Sequence, residues 1–207
     1  MKVLMINGSP HKNGCTNKAL EIIAEELKRQ GVESEIVWIG LGAVHSCMGC
    51  GSCKKTGKCV FDDDVVNAIA AKAKSADGYV FGSPVHYASP AGGMVALMDR
   101  LFVSCGAYMK FKPAASVVSA RRAGTTASYD VLNKYIGING MLQVPSTYWN
   151  MVHGNSAEEV EKDEEGVSIM RAIGSDMAWL LKLLESVKGT PLEKPEIIQK
   201  AKTNFIR

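Results

Sequence analysis

Apolar residues recur along this chain in two rhythms, short unbroken runs and stripes spaced by three and four, and the two rhythms alternate. Residues 2–6 are an apolar, β-capable run in which neither face is polar, the pattern of a strand covered on both sides as in a parallel sheet. Leu20, Ile23, Ala24 and Leu27 then share one stripe of a helix that Gly31 is placed to end. Residues 34–39 read as a second strand. Val65, Val66, Ile69, Ala70 and Ala73 predict a helix preceded by Asp62, Asp63 and Asp64, an acidic run read as a cap because the helix dipole favours acids there. Residues 78–82 are a third strand. Ser89 and Pro90 are placed to start the next helix as N-cap and first helical residue, with Met94, Met98, Leu101 and Phe102 on its inner face. Residues 114–119 predict a fourth strand, Val131, Leu132, Tyr135 and Ile136 a helix, and residues 141–144 a short fifth strand that stops at Pro145. Residues 149–165 are polar and read as irregular surface, their charge run 158–165 as a solvated helix start. Met170, Ile173, Met177, Leu180, Leu181 and Leu184 then repeat at helical spacing up to Lys188 and Gly189.

Five strands alternating with helical patterns predict an α/β fold, a doubly wound five-stranded parallel sheet with helices on both faces, because each parallel return needs a helix-length crossover. Ligands of such sheets sit beyond the C-terminal strand ends where strand order reverses, so the loops after strands one, three and four are the expected site walls. With 207 residues and no internal repeat or linker, one domain is expected over 1–189. The tail, 190–207, has little periodicity and is expected to pack on that domain or on a second subunit. Composition changes little: 46% hydrophobic and 22% charged residues are ordinary for a globular protein. A net charge of +3 from scattered lysines excludes a nucleic-acid stripe. The absence of a long apolar run or leader pattern leads to the expectation of a cytoplasmic protein without membrane contact. There the six cysteines are thiols or metal or cluster ligands and not a disulfide framework.

Candidate chemistry lies in three loops. In the first, Gly8 and Gly14 let the backbone turn tightly, while Ser9, Asn13, Thr16 and Asn17 offer hydroxyls and amides just before a helix. Free N–H groups and the positive end of the helix dipole make such a turn a phosphate cradle. No G-x-G-x-x-G and no P-loop lysine is present, which argues against a dinucleotide or ATP here. An ordinary turn with Thr16 as helix cap is the competing reading. In the second, residues 83–89, Pro84 fixes the turn and the N–H groups of Val85, His86, Tyr87 and Ala88 are expected to face the edge of a flat ring. Tyr87 adds an aromatic face, and Ser119 with the Gly124 turn closes the other side. The competing reading is a β-turn with an incidental tyrosine.

Gly-Ser-Pro with Cys-Thr five residues on, and Gly-Ser-Pro-Val-His-Tyr with Met-Asp-Arg downstream, resemble the flavodoxin-like NAD(P)H-dependent FMN reductases over residues 1–147. The resemblance implies a flavodoxin-like fold and bound FMN. It puts Ser9, His11, Cys15 and Thr16, beside Asn17, on phosphate positions, and Pro84, Val85, His86, Tyr87 and Ala88 with Ser119 and Gly124 on ring positions. Position 15 departs from the small polar residue common in the family, and His86 from an aromatic one. The activity implied is hydride uptake from NAD(P)H as co-substrate and reduction of a small acceptor, a quinone, azo dye, nitro compound, flavin or metal ion. No protein acid or base is required, since the flavin carries the chemistry.

The third loop, residues 40–63, is long for a compact domain and holds Cys47-x2-Cys50-x2-Cys53-x5-Cys59 among permissive glycines. This spacing resembles the iron–sulfur flavoproteins of the same superfamily, whose four cysteines bind a [4Fe–4S] cluster. It lacks the x3 gap and final proline of the ferredoxin run. Zinc, or free thiols at a subunit contact, are the other readings. Cys15 and Cys105 stand outside the set as buried small side chains. Two alternatives to the reductase follow: an electron carrier taking single electrons from ferredoxin-like partners, and a flavin-free interaction domain. A homodimer or homotetramer is expected, because an open crevice covers FMN on one side only.

Overall fold

The computed structural model describes residues 1–201 and 203. A parallel sheet runs in the order β2 (Glu33–Trp38), β1 (Lys2–Asn7), β3 (Gly78–His86), β5 (Pro113–Ala120) and β6 (Leu142–Gln143). Strand order reverses beside β1, whose register sets Asn7 against both Trp38 and Gly82. The missing alternation of the strand runs has a direct cause. In β1, Leu4 and Ile6 enter one core, packed by α3 (Val66–Ser75), α4 (Gly92–Met109) and α5 (Thr125–Ile138). Val3 and Met5 enter the other, packed by α1 (Cys15–Arg29) and α7 (Glu164–Ser186), while the one-turn α2 (Cys53–Thr56) lies in the long loop after β2. Each face is apolar because each is buried, as a doubly wound sheet demands.

The fold is the expected flavodoxin-like one, with three local corrections. The third strand does not stop at Gly82 but continues to His86, and Ser89 and Pro90 do not cap α4. They form β4 (Ser89–Pro90), antiparallel to β3 with Val85 opposite Pro90, and α4 starts after Ala91. Proline suits either role, since neither a first helical turn nor a two-residue edge strand needs its N–H. The fifth strand position is shared by two pieces. β6 pairs with the start of β5, and β7 (Met151–His153) pairs parallel with its end, so part of the supposed irregular surface is sheet with Met151 and Val152 buried. The charge run does start helices, a short α6 (Ala157–Val160) and then α7, capped by Ser156 and Asp163.

In the described part of the tail, residues 195–201 are exposed and Leu192, Ile197 and Ile198 lie open to solvent. Residues 195–201 are thus not packed on the domain, whereas Glu193 and Lys194 line one surface cleft with Met1, Asp77 and Lys112; residues 202 and 204–207 lie outside the described residues. Among the described residues no helix is long and apolar enough to cross a membrane.

Candidate functional site

The loop after β1 is shaped by one buried side chain. Asn7 accepts from the Ser9 N–H at 3.0 Å and donates to the Lys12 carbonyl at 3.0 Å and to Asn17 Oδ1 at 3.3 Å. Ser9 Oγ accepts from the His11 N–H, and Trp38 at the end of β2 donates its indole N–H to the Ser9 carbonyl at 2.7 Å. Loop carbonyls are thus turned into the protein. The amides are left over: among the described residues the N–H groups of Lys12, Asn13, Cys15, Thr16 and Asn17 have no hydrogen-bond partner. Gly14, not Thr16, occupies the N-cap of α1, and no side chain caps it. That overturns the reading of an ordinary turn capped by Thr16. An uncapped helix start with five unpaired amides fits a phosphate group.

The side chains predicted for this loop divide. Ser9 and Thr16 are buried, and Thr16 Oγ1 lies 2.8 Å from Ser119 Oγ of β5, which ties the phosphate loop to the opposite wall. Asn17 donates to Glu21 at 2.6 Å, so its side chain is engaged while its amide stays free. His11 is exposed. The Cys15 thiol points away from the loop, to the Gly154 carbonyl at 3.4 Å, and burial pushes it above the ordinary thiol range. Only the backbone of Cys15 is placed to meet an anion.

The ring loop is a hairpin. Pro84 stands beside Ser119 in register, and β3 turns into β4 through Tyr87, which is fully exposed at φ 58°. One expectation fails: the Ala88 N–H is not free but donates to the His86 carbonyl at 2.8 Å, closing the tight turn. The Tyr87 amide has no partner among the described residues. Gly124, at φ 90°, presses on Val85 so closely that a Cβ there would meet Val85 Cγ1 at 2.8 Å. Pro84, Val85, Ser119 and Gly124 are therefore brought together at the strand ends, with His86, Tyr87 and Ala88 on the exposed rim.

The cysteine loop encloses a cavity of its own. Cys47, Cys50, Cys53 and Cys59 all line one cavity of about 220 Å³ with Phe61, Arg100 and Val103. Gly49, Gly51 and Gly57, each at φ near 70°, let the backbone curl around it, a conformation that a side chain disfavours. Among the described residues no three His, Cys, Asp or Glu side chains converge closely enough for one metal ion. The thiols ring a space and do not meet at a point. That donor set suits an iron–sulfur cluster, which fills the space between its cysteines with its own iron and sulfide, better than one zinc ion on which four thiolates must converge.

Two residues pin this loop, and sequence reasoning assigned neither a role. Asn67 of α3 accepts from the Cys59 N–H and donates to the carbonyls of Cys59 and Phe61. Arg100 of α4, 1% exposed, pairs with Asp64 and donates to Cys59 Sγ at 3.2 Å and to the carbonyls of His45 and Phe61. Burial works against the Asp64 carboxylate, yet the Arg100 guanidinium and the Val66 and His45 amides hold it below the ordinary range. Arg100 offered one signal, a charged residue on the apolar helix of Met94 and Leu101, whereas nothing local marked Asn67.

The model of the NADPH-dependent FMN reductases matches residues 1–156, past the range over which the motifs alone carried the resemblance. An iron–sulfur flavoprotein of Methanocaldococcus jannaschii is 31% identical over 197 residues, covering 89% of this chain and 100% of that protein. Another, from Methanosarcina thermophila, is 28% identical over 190 residues, covering 89% and 97%. A solved flavodoxin from the Archaea superposes with a TM-score of 0.60 at 15% identity, covering 88% of this chain and 99% of that one, a likeness of fold alone.

Proposed function

Because the chain belongs to the NADPH-dependent FMN reductase family, we propose that it is an FMN-dependent oxidoreductase that takes a hydride from NAD(P)H, reduces a small acceptor, and carries a [4Fe–4S] cluster on Cys47, Cys50, Cys53 and Cys59. The observation that supports it most is the uncapped start of α1, where five amides of the loop after β1 and the first helical turn are unpaired among the described residues. Those amides would bind the phosphate, with Asn7 and Trp38 holding their direction. Pro84, Val85 and Gly124 would orient the ring, and the free Tyr87 amide supplies a donor for charge that gathers on its pyrimidine edge. FMN supplies the exchange between hydride and single-electron chemistry. The cysteines would hold a group that passes electrons one at a time. A homodimer or homotetramer fits the open rim and the exposed apolar residues of the tail.

One cavity ringed by four cysteines favours a second reading, an electron carrier that exchanges single electrons with a ferredoxin-like protein and does not use NAD(P)H. Anaerobic stopped-flow on FMN-loaded protein separates the two. Bleaching by NADPH or NADH at a catalytically useful rate is expected. Reduction by dithionite or reduced ferredoxin alone would establish the carrier, and protein that takes up no FMN on reconstitution would remove both.

A further inference from the structure

Arg100 directs its described hydrogen bonds to one target. Its guanidinium reaches Cys59 Sγ, the His45 and Phe61 carbonyls and the Asp64 carboxylate, all in residues 45–64, although it sits on α4 between the buried Leu97 and Leu101. The Phe61 ring lies 5.2 Å from the guanidinium and stacks on His45 at 4.4 Å and 16°, so the charge is covered from solvent. Stability is a poor account of such a group. Desolvating a buried ion pair offsets much of its attraction, and an apolar residue of similar volume serves a core as well or better. The thiols differ as well. Cys15, Cys53 and Cys105 donate to backbone carbonyls, whereas Cys59 accepts from a cation. Lys54 also lines the cavity but is exposed, where water screens it.

We propose that Arg100 is a positioning residue which, through its Nε–H to Cys59 Sγ, raises the reduction potential of the cluster held by the four cysteines. The inference rests on the cluster reading above. Reduction adds one electron to the cluster and its thiolates, and a charged donor on a ligating sulfur stabilises that added negative charge. Hydrogen bonds to the sulfurs, net charge and solvent exposure are the protein's means of setting such potentials. Asp64 tempers the effect by partly neutralising the guanidinium, which gives the proposal two signs to meet.

The test uses full-length protein prepared without oxygen, with iron and sulfide analysis and EPR-monitored redox titration of the wild type, Arg100→Lys and Asp64→Asn. A lysine can meet Asp64 or Cys59 but lacks the planar fork that meets both. Arg100→Lys is expected to keep its iron and to shift the one-electron equilibrium at least tenfold toward the oxidised cluster, about 59 mV. Asp64→Asn is expected to shift it the other way. If the variants hold iron and neither potential moves, Arg100 only fixes the loop and the proposal falls while the cluster stands. Should Arg100→Lys lose its iron, Asp64→Asn decides: a raised potential supports the proposal and an unchanged or lowered one overturns it. Wild-type protein without iron and sulfide would remove the cluster reading and this inference together.

Discussion

Replacing Asn7 with alanine tests the claim that one buried amide aims the phosphate loop. The change removes three hydrogen bonds at once. The Ser9 N–H is buried and finds no other acceptor, and an orphaned buried donor costs about 1–3 kcal/mol. The Lys12 carbonyl lies on an exposed residue where water replaces the lost donor, so that bond and the longer one to Asn17 contribute only about 0.5–1.5 kcal/mol each. The expected loss is about 2–6 kcal/mol, a large share of the 5–15 kcal/mol that holds a domain together. In a chain of this size that lowers the melting temperature by about 4–24 °C. FMN affinity is the sharper readout. Asn7 is expected to touch no part of the ligand, yet a loop that must be ordered on binding should weaken FMN by roughly ten- to a hundredfold, one factor of ten for each 1.4 kcal/mol. Fluorescence titration with FMN and a thermal melt on the same preparation measure both quantities. A melting point that falls while FMN affinity stays within a factor of two would refute the reasoning, leaving Asn7 as a strand-end residue with no say in the cradle.

Gly124→Ala forces a side chain onto a left-handed backbone and into Val85, so it is expected to cost about 1–3 kcal/mol and to displace the hairpin; FMN affinity should fall with stability, and a variant as stable as the wild type would contradict the close approach. Asp64 has a folded pKa below its unfolded value, so its contribution is fully present above about pH 4 and disappears as pH falls through the folded pKa. Denaturant melts should show Asp64→Asn less stable than the wild type near neutral pH and the gap closing in acid. A gap that stays constant from pH 7 to pH 3 would deny the Arg100 pair that role.

What the sequence could reveal follows the range of the forces involved. The core strands were legible because burial on both faces leaves an apolar run, and the long helix α7 because its stripe is local. β7 was not legible. Three residues in a polar stretch become a strand only through pairing with Val118, Ser119 and Ala120, some thirty residues earlier, and nothing local encodes that pairing. Pro90 misled for a related reason, since its missing N–H suits a helix start and an edge strand alike and only the partner Val85 decides between them. In the site, the glycine loop and the cysteine spacing could be read directly, because close backbone approach and thiolate ligation each restrict residue type at fixed spacing. The supports could not be read. Arg100 meets its partners across 36 to 55 residues, and Asn7 looks like the end of any strand until its three bonds are seen.

The placement of the two proposed sites follows from the same supports. Trp38 closes β2 by donating to the phosphate loop, and the next residue, Ile39, donates its N–H to the Asn7 carbonyl. The cysteine loop therefore leaves the sheet at the point where the phosphate loop is held. On the other side, β3 runs into the ring hairpin, the hairpin runs into α4, and α4 carries Arg100 back to Cys59. Each proposed site thus draws on the β1 and β2 ends and on the segment after β3, which is where a doubly wound sheet reverses its strand order. The proposed flavin and cluster sites, built from the same pair of elements, need no separate domain to be brought near each other. The switch point that leaves the α1 amides unpaired also leaves room on its flank for a loop of four cysteines.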